Sequence, residues 1–196
     1  MLLRCLIVSF ALVLAASAAA QSYDAGKLDR PLAELQAAPD EATAALAVAA
    51  IWRQWMQPAD REQRLLMELG MQEMRSGELA ESIVTFSRLI DRAPDLPEPW
   101  HKRGSVHVLQ GGLPQAIADF CATLRREPRH FGAYANLGAV RVQTGEPARA
   151  VAAFALALKY NPHFPGIKAE MARLAGEAVG ELPDDALGCG LRTAGR

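Results

Sequence analysis

Lysine is nearly missing from this chain of 196 residues: Lys27, Lys102, Lys159 and Lys168 are all it has. Arginine supplies the rest of the positive charge, and acidic residues balance it to a formal net charge of −1. A near-neutral chain carries no electrostatic footprint for nucleic acid. Cysteine is as sparse. Cys5, Cys121 and Cys189 offer no zinc-binding spacing, and the sequence has neither a phosphate-cradling glycine loop nor a nucleophile elbow. Of the four histidines, His101 and His107 fall on different sides of one expected helix. His130 and His163 sit in short turn-like stretches, where they are expected to organise the turns. These absences argue against an enzyme and predict no metal and no cofactor. The chain also lacks an apolar run of the roughly 20 residues that a membrane helix needs. Its one apolar run spans residues 5–16, follows Arg4, and gives way to small residues. That pattern reads as a signal peptide over residues 1–20, cleaved after Ala20 with Ala18 as the other small residue of the site, while Ala16 and Ala18 offer a second site. A retained anchor is the alternative. With alanine abundant and arginine replacing lysine, the bias fits a GC-rich bacterial genome, and the expected location is the periplasm.

What is present is a ruler. Gly70, Gly104 and Gly138 are spaced by 34 residues, as are Gly77, Gly111 and Gly145, Phe86, Phe120 and Phe154, and Pro94, Pro128 and Pro162. A period of this length with two helix-sized halves is the mark of a helical hairpin repeat. The first glycine of each block falls mid-helix, where it costs about 1 kcal/mol relative to alanine, so a packing reason is expected. Its missing side chain lets the second helix approach through Ser82, Ala116 and Ala150, and the phenylalanines are expected to fill the wedge between successive hairpins. The second glycine ends the first helix as a left-handed cap. Pro114 and Pro147 open the following helices, and Pro94, Pro128 and Pro162 close them.

On these residues the chain resembles the tetratricopeptide repeat (TPR) proteins over roughly residues 63–164. Block two carries Trp100, Gly104, Ala116, Phe120 and Pro128. Block three carries Tyr134, Leu137, Gly138, Ala150, Phe154, Ala157 and Pro162, and block one is looser, with Leu66, Leu69, Gly70, Ser82, Phe86 and Pro94. Arg103 departs from the pattern leucine, Leu89 and Thr123 from the second small residue, and Glu73, His107 and Arg141 from the pattern tyrosine. The resemblance implies an all-α fold, a right-handed α-solenoid of about three helical hairpins over residues 63–96, 97–130 and 131–164.

The flanks complete the expected organisation. Residues 21–40 read as loose, apart from one short helix over 31–38. Asp40 caps a helix from Glu41 to about residue 56, with Leu46, Ile51, Trp52 and Trp55 on a common side. With Asp60 starting the next helix, residues 41–62 resemble a degenerate half repeat that covers the first hairpin. Residues 165–179 read as a C-terminal capping helix with Ile167, Met171 and Leu174 inward, and 180–196 as a flexible tail. Cys121 and Cys189 can pair in an oxidising compartment, or stay as two thiols.

Repeat arrays of this kind present a surface rather than perform chemistry. In the family, the first helices line the concave side. The resemblance therefore implies a partner-binding set of Met67, Met71 and Met74, then His101, Lys102, Ser105 and Val108, then Ala135, Asn136, Ala139 and Val142. Methionine adapts to irregular partners, and Lys102 with Asn136 would serve as hydrogen-bonding posts for a helix or extended peptide. Met67 and Met71 packing beneath the N-terminal helix is the competing reading. Some members hold a C-terminal carboxylate with a basic residue and an asparagine four places on; His101/Ser105 and Ala135/Ala139 do not reproduce that pair. Glu73, His107 and Arg141 either form a ladder between hairpins or stay solvated. The expected function is an interaction scaffold of the bacterial envelope binding another protein or peptide. The alternatives are a self-associating protein whose groove its own N-terminal segment fills, and an accessory to the assembly of secreted proteins.

Overall fold

The computed structural model describes residues 23–58, 60–174 and 185–191. Among them the regular structure is helical throughout. A short 3-10 turn (Ala25–Leu28) is followed by α1 (Asp29–Ala37), α2 (Glu41–Trp55), α3 (Arg61–Ser76), α4 (Leu79–Arg92), α5 (Pro97–Leu109), α6 (Leu113–Arg126), α7 (Phe131–Gln143), α8 (Pro147–Tyr160) and α9 (Ile167–Leu174). Helices α3 to α8 form three antiparallel hairpins stacked side by side, each first helix also packing on the second helix of the hairpin before it. Among the described residues no helix is long and apolar enough to cross a membrane.

The turn chemistry explains the boundaries. Gly77, Gly111 and Gly145 have φ of 82°, 77° and 73°, the left-handed region that only glycine enters without strain. Prolines occupy the first turns of α6 and α8. Asp40 caps α2 by accepting from the Thr43 amide at 2.7 Å, and Asp60 caps α3 through the amides of Glu62 and Gln63.

The mid-helix glycines meet the phenylalanines of their own hairpins. A methyl group on Gly70 or Gly104 would lie 2.8 Å from the ring of Phe86 or Phe120, and one on Gly138 would lie 2.5 Å from Phe154. The phenylalanines therefore fill space within a hairpin, against the glycine, rather than a wedge between hairpins. Ser82 adds a hydrogen bond from Oγ to the Gly70 carbonyl at 2.8 Å. Alanine at position 138 should gain up to about 1 kcal/mol of helix propensity but force the Phe154 ring aside at an overpacking cost of roughly 1–3 kcal/mol. We expect Gly138→Ala to lower the urea midpoint, and to lower it more than Gly104→Ala does. A raised midpoint would show that the ring moves freely.

Both flanks differ from the sequence reading. Residues 23–37 are ordered: Leu28, Leu32 and Leu35 recur at helical spacing and bury against Ala44, Ala47 and Ile51 of α2. Three leucines in an otherwise polar stretch give too weak a periodicity to be seen alone. On α2 the buried row is Ala44, Ala47, Ile51 and Trp55, while Leu46 points outward and is 75% exposed. The hairpin α1–α2 does not cover the first repeat. It lies against the second and third, where Trp55 joins Phe131 in one apolar cluster, flanked by Tyr160 and Phe164.

At the other end, Ile167 and Leu174 of α9 bury in the main core, with Met171 packed against it. The expected extension of this helix to 179 lies outside the described residues, as does the leader over 1–20. Residues 185–191 are not a loose tail. Leu187 is buried in the core, Arg141 donates to its carbonyl at 2.7 Å, and Cys189 is disulfide-bonded to Cys121 of α6. A bond of this kind restricts the unfolded chain across the 68 residues that separate the two cysteines.

Candidate functional site, a groove partly filled by its own chain

The concave side is built on α3, α5 and α7, and its chemistry begins at the start of α5. Glu98, His101 and Lys102 are spaced so that all three share one face of the first turns. Glu98 is wholly buried. Its Oε1 lies 3.0 Å from Lys102 Nζ and 3.3 Å from His101 Nδ1, and its Oε2 lies 2.9 Å from His130 Nε2. His130 is the cap residue of α7, its Nδ1 accepting from the Ala133 amide at 3.0 Å. That bond places its ring proton on Nε2, aimed at Glu98. His101 in turn donates from Nδ1 to Glu98, and its Nε2 accepts from the Asn136 amide at 3.0 Å.

Glu98 thus accepts from Lys102, His101 and His130 at once. Burial opposes ionisation of Glu98, but Lys102 and the two histidines more than offset it and hold the carboxyl well below its usual range. Burial is also the main influence on His101, lowering its pKa from 6.5 to about 4 against the pull of Glu98. Unfolded chain therefore binds more protons than folded chain between these values. Stability from this group is complete above pH 6.5 and is lost as pH falls towards 4, by up to roughly 3 kcal/mol at about 1.4 kcal/mol per unit. Glu98, Lys102, His130 and Asn136 are the polar groups facing His101, and Glu98 adds acid sensitivity of the same sign at lower pH. Urea titrations at pH 7 and pH 4.5 should show this loss in the wild type and a shallower one in His101→Gln.

The ligand atoms of Glu98, His101 and His130 lie within 4.8 Å of one another, close enough to suggest a metal centre. The proton arrangement does not suit one. A cation on His130 Nε2 would move the ring proton to Nδ1, into collision with the Ala133 amide proton, and Lys102 already neutralises Glu98.

Over this cluster sit the two tryptophans of α2. Trp55 stacks on the His130 ring at 3.8 Å with 9° between the planes. Trp52 meets Trp55 and Phe131 edge-on and takes the Lys102 ammonium 5.0 Å from its centroid. Polar latches hold the hairpin at its edges. Arg129 donates to Asp29 and to the Ala25 carbonyl, Tyr23 donates to Glu127, and Gln36 donates to the Lys159 and Tyr160 carbonyls. His163 Nε2 lies 3.1 Å from the Ala38 carbonyl.

The expected contact residues therefore divide. Met67 is buried in a cluster with Leu66, Phe86, Leu89 and Val106, and Met71, Met74 and Met56 pack against it. His101, Lys102 and Asn136 are occupied within the chain, which corrects the reading of Lys102 and Asn136 as posts for a partner. Ala135 and Val142 pack against the main core. The open part of the groove is its other half, a cleft of about 130 Å³ lined by Ser105, Val108, Asn136, Ala139 and Gln143 with Phe120 and Val140 as its floor. Leu109, one turn after Ser105, is 61% exposed. A second cleft of about 300 Å³ lies between α2 and the end of α8, among Ala44, Val48, Trp52, Phe131, Phe164 and Pro165.

Glu98, His130, Trp52 and Trp55 escaped the sequence reading as site residues; the spacing of Glu98, His101 and Lys102 was the available signal. The ladder of Glu73, His107 and Arg141 does not form. His107 faces Asp119 of its own hairpin at 3.8 Å, and Arg141 pairs with Glu146 at 2.6 Å.

No protein-family model matches the sequence, and no curated protein does. Solved structures do. The first TPR of Spaghetti (RPAP3), bound to an HSP90 peptide, is similar with a TM-score of 0.57 at 19% identity, over 60% of this chain and 94% of that one. The Yersinia enterocolitica type III secretion chaperone SycD, in complex with a peptide of the translocator YopD, gives 0.53 at 17% identity, over 61% and 92%. A MamA mutant gives 0.51 at 16%, over 79% and 90%. The chain thus has the tetratricopeptide solenoid fold.

Proposed function

We propose that this chain is a non-catalytic scaffold that binds a peptide or helix of another protein in the open half of its concave groove, the strip of Ser105, Val108, Leu109, Ala139 and Gln143. The observation that carries this reading is the division of the groove. Trp52 and Trp55 close the half that holds the charged cluster, and the half left open is apolar with polar edges. Two proteins of the same fold were solved with peptides bound, an HSP90 peptide and a translocator peptide. The cluster of Glu98 and Lys102 is neutralised internally, so recognition in the open strip rests on apolar contact and backbone hydrogen bonds rather than on a charged clamp. The chain's own segment in the groove favours a second element of function, in which α1–α2 shapes the site for its partner.

Export to a bacterial periplasm is part of the same proposal. The apolar run of residues 5–16 after Arg4 supports it, and so does the pairing of Cys121 with Cys189, which an oxidising compartment sustains. Mass spectrometry under non-reducing conditions on the exported form should find the two cysteines linked and the chain starting at Gln21; two alkylatable thiols on a chain that keeps its first residues would count against export.

Binding is tested with Val108→Glu/Ala139→Arg, compared with Ala155→Arg on the exposed side of α8. Immobilised wild type and the Ala155 variant should retain the same envelope proteins, and the groove variant should lose them with an unchanged helical circular dichroism spectrum. Equal retention by all three would place the binding surface elsewhere.

A further inference from the structure

In a hairpin stack the third and seventh residues of each block face the preceding hairpin. In the third block these are Ala133 and Leu137, both fully buried. In the second block they are Pro99, which is buried, and Arg103, whose guanidinium reaches back to Ser87 Oγ of α4 at 2.9 Å. In the first block they are Leu65 and Leu69, and these are 54% and 43% exposed. The helix that would have covered them, α2, is engaged in the groove instead. The first hairpin therefore keeps the apolar edge of an internal repeat while standing at the end of the stack.

We propose that this edge of α3 binds α3 of a second copy of the chain, forming a two-fold dimer. The surface is a continuation of the stacking interface already used between hairpins, so its natural occupant is another helix of the same array. The far end of the stack is closed by α9, through Ile167 and Leu174. Among the described residues the far end thus offers no matching open edge to the first hairpin, which favours a closed, isologous pairing over head-to-tail growth.

The charges on the edge agree with that symmetry. Arg61, Leu65, Leu69 and Glu73 form a single row at four-residue spacing, the ridge by which helices commonly interlock. An antiparallel two-fold that sets Leu65 against Leu69 of the second copy also sets Arg61 against Glu73 of the second copy, plus to minus at both ends. The surface lies apart from the open concave strip, so dimer formation and partner binding are separable.

Sedimentation velocity on the purified full chain at about 100 μM, where an interface with a Kd in the micromolar range is filled, should give twice the mass of one chain. Leu65→Glu/Leu69→Glu should halve that mass without changing the helical circular dichroism. Arg61→Glu should weaken the dimer, and Arg61→Glu/Glu73→Arg should restore it, an outcome that a merely misfolded variant does not produce. A wild type with the mass of one chain overturns the proposal. So does a dimer that survives the leucine substitutions, or growth that continues with concentration beyond two chains.

Discussion

Replacing Glu98 by glutamine is expected to lower the free energy of unfolding at pH 7 by roughly 3–5 kcal/mol, the usual cost of breaking a buried ion pair by removing one partner. Shape hardly changes, so the loss would not come from packing. It comes from the donors left behind. Lys102, His101 and His130 all direct hydrogens at this carboxylate, and a glutamine amide turns two more hydrogens into the same space. The Lys102 ammonium would also lose its counter-charge where only 15% of its side chain is exposed. Removing both members, as Glu98→Gln/Lys102→Met, should recover a large part of the loss, because a buried pair replaced by neutral groups costs far less than a pair broken. Urea denaturation of the three proteins measures this. A loss below about 1 kcal/mol in the single variant, the scale of one ordinary hydrogen bond, would mean that the carboxylate is hydrated and the groove is not closed over it.

Truncation of Trp55 to alanine is expected to cost roughly 3–5 kcal/mol, as for other buried large aromatics. Trp55 lies between the leucine-lined hairpin α1–α2 and the cap of α7, touching Phe131 and stacked on His130. Its removal leaves a cavity and opens the Glu98 cluster to water. The His130 side chain would lose its lid while still carrying the Ala133 cap and the Glu98 bond, so the damage should spread to the start of α7. Amide exchange should show faster opening at Ala133 and Tyr134 along with the lower midpoint. Trp52→Ala is expected to have a smaller effect, since that ring is only partly buried. Equal midpoints for wild type and Trp55→Ala would mean the N-terminal hairpin contributes nothing to the stack.

The repeat was legible because glycine and proline each answer a local geometric demand. Left-handed caps at Gly77, Gly111 and Gly145 and helix stops before Pro94, Pro128 and Pro162 need no knowledge of the rest of the molecule. Gly70, Gly104 and Gly138 were legible too, because their cost in a helix demands a close neighbour, although the neighbour proved to be the phenylalanine of the same hairpin. The docking of α2 was not legible. Helical spacing predicts which side of a helix is apolar but not what lies against it, and Leu46 and Ala47 compete for that side until the partner is known. The segment 185–191 was hidden for a similar reason: its order depends on Leu187, the carbonyls that Arg141 meets, and one disulfide, all of them contacts to residues far away in sequence. At the candidate site, the sequence singled out His101 and Lys102, and both lie in the cluster around Glu98. Their pairing with Glu98 on the same helix was legible in the spacing, but the His130 contact was not, because only the fold brings the start of α7 to Glu98.

The central claim is that the chain fills half of its own groove, and a double-mutant cycle between Trp55 and His130 tests it most directly. The two residues are far apart in sequence and share only the stacked contact between α2 and the cap of α7. With Trp55→Ala, His130→Ala and the double variant measured by urea denaturation, the predicted coupling is on the order of 1–3 kcal/mol, as for residues in contact within one network. Effects that add to within about 0.3 kcal/mol, the behaviour of distant sites, would contradict it and leave the groove open along its whole length.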